Sequence, residues 1–167
     1  RAEDRVTAFE LHQREGGALE QWARGRRVKV LREDGLAGLV RLLPPQAPRL
    51  CVLMDPSYEV RAEYARVAQT LIEAWGRCRH GVFLIWYPIL ADAPHRALCD
   101  ALQASPMHKV LQSEVRLQVP PVRGMLGSGL LVVNPPWHWD ARMEAAMTSA
   151  REAGWGIDHR LGWLIPE

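Results

Sequence analysis

Residues 50–59, LCVLMDPSYE, constrain this chain more than any other stretch. A run of buried-type apolar residues stops at Asp55, and Pro56, Ser57 and Tyr58 follow at once. An apolar strand that ends at an acid and a residue-specific turn sets polar groups at the carboxyl edge of a parallel sheet. Ligands of open α/β sheets bind at that edge. A metal-binding acid of a nucleotide hydrolase can occupy the same place. That chemistry needs a Gly-rich phosphate loop with Lys and Ser or Thr, and no GxxxxGK[ST] occurs here.

The rest of the chain repeats the strand-then-helix pattern. Residues 6–11 read as a strand ending at Glu10, and Gly16 and Gly17 open a helix over residues 18–24. Residues 27–31 alternate as a second strand, closed by Glu33, Asp34 and Gly35. A helix over residues 36–43 is stopped by Pro44 and Pro45. After the strand at residues 50–54, apolar residues at three- and four-residue spacing between 60 and 77 predict an amphipathic helix. Residues 82–87 form a strand broken by Pro88, and residues 93–103 a helix with Pro94 in its first turn. Residues 108–119 alternate as a longer strand with one polar face. A loop with Pro120, Pro121 and Gly124 leads to a strand over Gly127–Val133, then Asn134, Pro135, Pro136 and Trp137. A helix over residues 140–153 and a strand over 159–165 complete the chain. The expectation is an α/β protein with a mostly parallel sheet, late antiparallel strands and helices on both faces.

Composition narrows the partners. With 167 residues the length prior is one domain. Charged residues make up 24% of the chain and the formal net charge is +2, which admits a nucleic-acid binder only if the basic residues cluster. Arg24, Arg26, Arg27 and Lys29 form one such group and Arg77, Arg79 and His80 another; solvated helix ends read equally well. Cys51, Cys78 and Cys99 lack CxxC spacing, so neither a disulfide framework nor a zinc site is expected, and Cys51 reads as a small core residue. The six His show no HxH or HExxH pattern, so no metal is expected. No apolar run approaches a membrane span and no signal peptide is visible, which places the chain in the cytoplasm with no membrane partner.

Three consecutive predicted strands end in an acid: Glu10, Asp34 and Asp55. In one parallel sheet their carboxyl edges coincide, so the three would face a common crevice. An acid after the second strand of a dinucleotide-type fold accepts hydrogen bonds from ribose hydroxyls. Asp34 with Gly35 suits a purine edge, Gly allowing close backbone approach; a plain turn or a helix N-cap remains open for the pair. Asp55 and the Pro56 carbonyl are placed to accept the two protons of an exocyclic amino group. Withdrawn from conjugation, its lone pair becomes a nucleophile for in-line methyl transfer from a sulfonium, where positioning supplies much of the rate. Tyr58 either stacks on a base taken out of its helix or packs as a half-buried residue. Asn134 to Trp137 fits an Asn-Pro-Pro-aromatic pattern better than DPSY does. It follows a long alternating strand, however, and reads as a structural turn or part of the acceptor-side wall.

Beyond these local arguments, FELH (residues 9–12), EDG (33–35), LMDPSYE, LIWYP (84–88), GSGLLVVNPPW and the terminal WLIPE resemble RlmJ, a family of bacterial 23S ribosomal RNA adenine-N6 methyltransferases. The likeness runs through nearly the whole chain, in order. It implies a class I S-adenosylmethionine-dependent, Rossmann-like fold, with Glu10, Asp34, Gly35 and Asp55 contacting the donor. It also implies Asp55, Pro56 and Tyr58 as the catalytic motif and 23S ribosomal RNA as partner; a monomer at full length is a separate expectation.

Two departures carry expectations of their own. Ser57 stands where the family usually has a second proline; it loosens the turn without removing the Pro56 carbonyl. The family's N-terminal segment, first strand and Gly-rich donor loop have no counterpart. The chain also begins at Arg1 rather than Met, so residues 1–167 are expected to be one methyltransferase domain truncated at its N-terminus. That first strand would lie mid-sheet, between the strands ending at Glu10 and Asp55, and two strand edges would otherwise lack partners. The fragment alone is therefore expected to bind donor poorly and to be inactive. The alternatives are an amino methyltransferase of DNA or of a protein amide, and a non-catalytic RNA-binding or assembly module of the same fold.

Overall fold

The computed structural model describes residues 3–167, which fold as two compact units that divide between Pro44 and Pro45. In the first, β1 (Val6–Phe9) pairs in parallel with β2 (Val28–Leu31), Phe9 opposite Leu31. Between them runs α1 (Gln13–Ala23), and α2 (Gly35–Leu42) follows β2. The glycines expected to open a helix at residue 18 lie inside α1 instead. The Arg32 side chain lies over them, within 3.3 Å of where a Cβ on either Gly16 or Gly17 would stand, on its way to a two-pronged ion pair with Glu20. Gly38 of α2 serves a similar purpose: a Cβ there would come within 2.2 Å of the Phe9 ring.

The second unit holds a five-stranded sheet in the order β3-β4-β6-β5-β7. Its strands are β3 (Cys51–Met54), β4 (Val82–Ile89), β5 (Val110–Leu117), β6 (Gly127–Val133) and β7 (Ile157–Ile165). Only β3 and β4 run parallel; β4 with β6, β6 with β5, and β5 with β7 are antiparallel. The helices are α3 (Ala62–Arg77), α4 (His95–Gln103) and α5 (Trp139–Glu152). They cover both faces. Gln112 reaches Cys99 of α4, and its neighbour Ser113, pointing to the other face, bonds His159, which contacts Glu144 of α5. The core lies on the α3–α4 side, where Phe83, Ile85 and Tyr87 of β4 meet Val67 and Leu71 of α3 and Leu98 and Leu102 of α4, all fully buried.

Two further expectations fail in this unit. Pro88 does not break its strand, because β4 continues to Ile89. The Ile89 carbonyl accepts from Leu126 N on the β6 side, so the Pro88 nitrogen points the other way, toward β3. The β3 pairing has already stopped at Met54 opposite Ile85, so the missing N–H removes no ladder bond. Cys51 is not a core residue either: it shares with Leu53 the face of β3 opposite buried Met54, and both are exposed.

Candidate functional site

Asp55 follows directly on β3, at the carboxyl edge that β3 and β4 share, and its side chain is exposed. What holds it there is Tyr58. This residue adopts a left-handed backbone (φ 53°) that reverses the chain before α3. A tyrosine in that region is disfavoured by contact of its Cβ with the backbone and persists only where the surroundings fix it. The fixing is visible: the ring lies 4.4 Å from that of Tyr64, and the hydroxyl donates to the Trp86 carbonyl at 2.9 Å. Burial, with Tyr64 and Asp55 adding to it, holds the Tyr58 hydroxyl far above its usual range, so it stays a proton donor. In this conformation the ring is packed inside rather than offered to a base.

The turn therefore presents two acceptors. Neither the Asp55 carboxylate nor the Pro56 carbonyl takes a hydrogen bond from any described residue. Downstream, Arg61 forms an ion pair with Asp92 in the loop after β4, tying the start of α3 to the same sheet edge. Asn134 lies at the opposite edge, since β6 runs antiparallel to β4. Its amide donates to the Arg79 and Gly81 carbonyls at 2.7 and 2.8 Å, which makes it a brace for the turn before β4.

Glu10 and Asp34 stand at the carboxyl edge of the two-stranded sheet in the first unit. One Glu10 oxygen accepts from His12 N at 2.7 Å. Asp34 caps α2, its Oδ1 accepting from Leu36 N at 2.9 Å and Ala37 N at 3.3 Å, while Gly35 begins the helix. The N-cap alternative for Asp34 is thus realised, and it fixes the carboxylate at the strand end.

A buried polar cluster beneath the β4–β5 rim went unread in the sequence. The Tyr87 hydroxyl donates to Glu114 Oε1 (3.1 Å) and accepts from Gln112 Nε2 (2.7 Å), and its ring stacks on His95 at 5.3 Å. Tyr87 and Glu114 both stand opposite Gly129, and a Cβ there would come within 2.0 Å of the Tyr87 ring. The tyrosine lies across β6 only because residue 129 has no side chain. Burial lowers the His95 pKa from its usual value, the Glu114 carboxylate opposing this, and raises the Cys99 thiol to about 11. The signal was the alternation of Gln112 and Glu114, which looks like a solvent face until β4 supplies a partner.

Among the described residues no helix is long and apolar enough to cross a membrane, and no three His, Cys, Asp or Glu converge. Against this geometry, a family model described as ribosomal RNA large subunit methyltransferase D, RlmJ, matches residues 1–153. The chain belongs to the RlmJ family. Two curated relatives are each named ribosomal RNA large subunit methyltransferase J. That of Escherichia coli K12 is 30% identical over 172 residues, and that of Haemophilus influenzae Rd 28% over 176. Each alignment takes in all of this RlmJ-family chain and 61% of the relative, so the chain spans less than two thirds of their length. A crystal structure of a Legionella pneumophila protein superposes with a TM-score of 0.88 at 25% identity, covering 98% of this chain and 62% of the other. One titled a putative rRNA-methylase from Clostridium thermocellum gives 0.50 at 14% identity, covering 77% and 74%, and shows the fold alone. The fold of this RlmJ-family chain is that of the class I S-adenosylmethionine-dependent methyltransferases.

Proposed function

We propose that the protein methylates the exocyclic N6 amino group of an adenine in 23S ribosomal RNA, with S-adenosylmethionine as donor. One observation carries the reading: an exposed Asp55 carboxylate and the Pro56 carbonyl, both without a hydrogen-bond partner among the described residues, project from a turn held from behind by Tyr58. An aromatic amine is planar because its lone pair is conjugated with the ring. Two acceptors facing its two N–H groups favour the pyramidal form and release the lone pair for attack. The donor supplies a methyl group on a sulfonium, already activated, so the protein's task is placement rather than acid–base chemistry.

Glu10, Asp34 and Gly35 are the proposed donor contacts in the first unit, and Asp55 the one in the second. Carboxylates fixed at strand ends by backbone N–H donors suit ribose hydroxyls and an adenine edge, and the residues fit the group in that respect. Tyr58 is proposed as the base's stacking partner. In that role its ring must leave Tyr64 and give up the Trp86 carbonyl, which makes stacking an event coupled to substrate arrival.

The test uses the complete gene product with labelled S-adenosylmethionine and unmodified large-subunit RNA, beside an Asp55→Ala variant, followed by digestion to nucleosides. Label in N6-methyladenosine that vanishes with Asp55→Ala is the expected result. Label in another nucleoside or in protein would move the acceptor. Label that survives the substitution would remove Asp55 from the chemistry. RNA binding with a steep salt dependence but no donor binding would favour a non-catalytic module.

A further inference from the structure

At the sheet edge that carries Asp55, the β5–β6 hairpin ends in a loop whose surface is unusual. Val122 is fully exposed and Val119 is 87% exposed, with Met125 beside them and Trp155, 65% exposed, on the adjoining α5–β7 turn. The placement follows from hydrogen bonds. Leu126 N donates to the carbonyl of Ile89, the last residue of β4, so the loop projects beyond the edge where β3 also ends. Gln118 N donates to the Gly156 carbonyl at 2.9 Å, and the Gln118 amide reaches Asp158 at 3.0 Å, which joins loop and turn.

The loop is built to stay put. Pro120 and Pro121 restrict the backbone, and the Leu117 N to Leu126 carbonyl bond closes its base. A soluble surface rarely holds three apolar side chains and an indole on a stiff projection without a use for them. The one charged residue of the loop itself, residues 118–126, is Arg123. Arg123 at the tip has no ion-pair partner among the described residues, whereas Glu114 is ion-paired with Arg116 and Asp158 accepts from the Gln118 amide.

We propose that this rim is a platform for the RNA strand flanking the target adenine. Val119, Val122 and Trp155 take up the faces of unpaired bases and Arg123 a phosphate. The inference rests on the ribosomal RNA reading above and names where that substrate is gripped. Base faces stack on apolar and aromatic side chains whatever their sequence, and a cation at the same place selects nucleic acid over an apolar peptide. With neighbouring strands about 4.8 Å apart, the hairpin lies on the order of 10–15 Å from β3, a span that a few nucleotides cover. The platform therefore holds neighbours of the reacting base and leaves the base itself to the Asp55 turn.

The experiment takes the complete gene product with Trp155→Ala and with the paired change Val122→Ser, Arg123→Ser, all at exposed positions. It measures methyl transfer against RNA concentration, donor affinity by calorimetry, and transfer to a trinucleotide with the target adenine at its centre, whose single flanking nucleotides fall short of the rim. Expected is a rise of about 10-fold in KM for ribosomal RNA in each variant, with kcat, donor affinity and trinucleotide transfer unchanged. Unchanged KM for RNA in both variants overturns the platform while leaving the methylation reading intact, as does unchanged KM with loss of a protein partner. An equal loss on the trinucleotide also overturns it, since the defect would then lie in the reaction centre. No transfer to any RNA by the unsubstituted protein removes the methylation reading and the platform together.

Discussion

In its packed conformation Tyr58 shapes the site from behind. Its ring packs on Tyr64, its hydroxyl is held by the Trp86 carbonyl, and its left-handed backbone turns Asp55 and Pro56 outward. Replacing it with phenylalanine leaves the Trp86 carbonyl without this donor. Stability should fall by about 1–3 kcal/mol, read from denaturant midpoints, and a drop of less than a few tenths would mean the bond is idle. Asp55→Asn keeps the size but replaces one acceptor oxygen with a donor, and kcat should fall by at least about 100-fold with donor affinity changed far less. His95 gives a pH signature. Its folded pKa lies below its unfolded one, so the unfolded chain takes up the proton first. Stability is then full above about pH 6.5 and declines as pH falls toward the folded value. His95→Phe, which keeps a ring against Tyr87, should flatten that part of the stability profile; an unchanged slope would assign the acid sensitivity to another group.

Elements were most legible where a pattern could arise in only one way. Gly127–Val133 reads directly, because a dense apolar run between turn residues has no competing period. The helix over Ala62–Arg77 is equally plain from its three-and-four spacing. The failures share a cause: a residue whose local preference is decided by a neighbour remote in sequence. Pro88 stays within β4 because β3 has already ended beside it, and Gly16 and Gly17 sit in a helix because Arg32 needs the space. The site divides along the same line. Residues placed by strand ends, Glu10, Asp34 and Asp55, could be located from sequence; for Tyr58 the sequence left stacking and inward packing both open, and the cross-strand reach of Tyr87 could not be read. Gly129→Ala tests the latter. A methyl group 2.0 Å from the Tyr87 ring forces it off Glu114 and Gln112 and should cost about 1–3 kcal/mol. A neutral result would show that the tyrosine has room to move.

At the scale of the whole chain, the two units differ in how much structure supports them. The first rests on a pair of four-residue strands with two short helices; the second has five strands and a core packed under α3 and α4. Two-stranded sheets are marginal in water, and a unit of about 40 residues buries little. Amides of β1 and β2 should therefore exchange with solvent at least about 100-fold faster than those of β4 and β6, by mass spectrometry of peptic fragments. Equal protection would mean that the chain opens as one body. The exposure of Cys51 has a practical side. The chain has three cysteines, and the other two are buried, one with its thiol pushed up to about 11. A maleimide added near neutral pH would therefore choose a single position, at the start of β3 and about 10 Å along that strand from its other end. A dye or a surface tether fixed there would leave the opposite rim open to solution, ready for single-molecule work without any engineered residue.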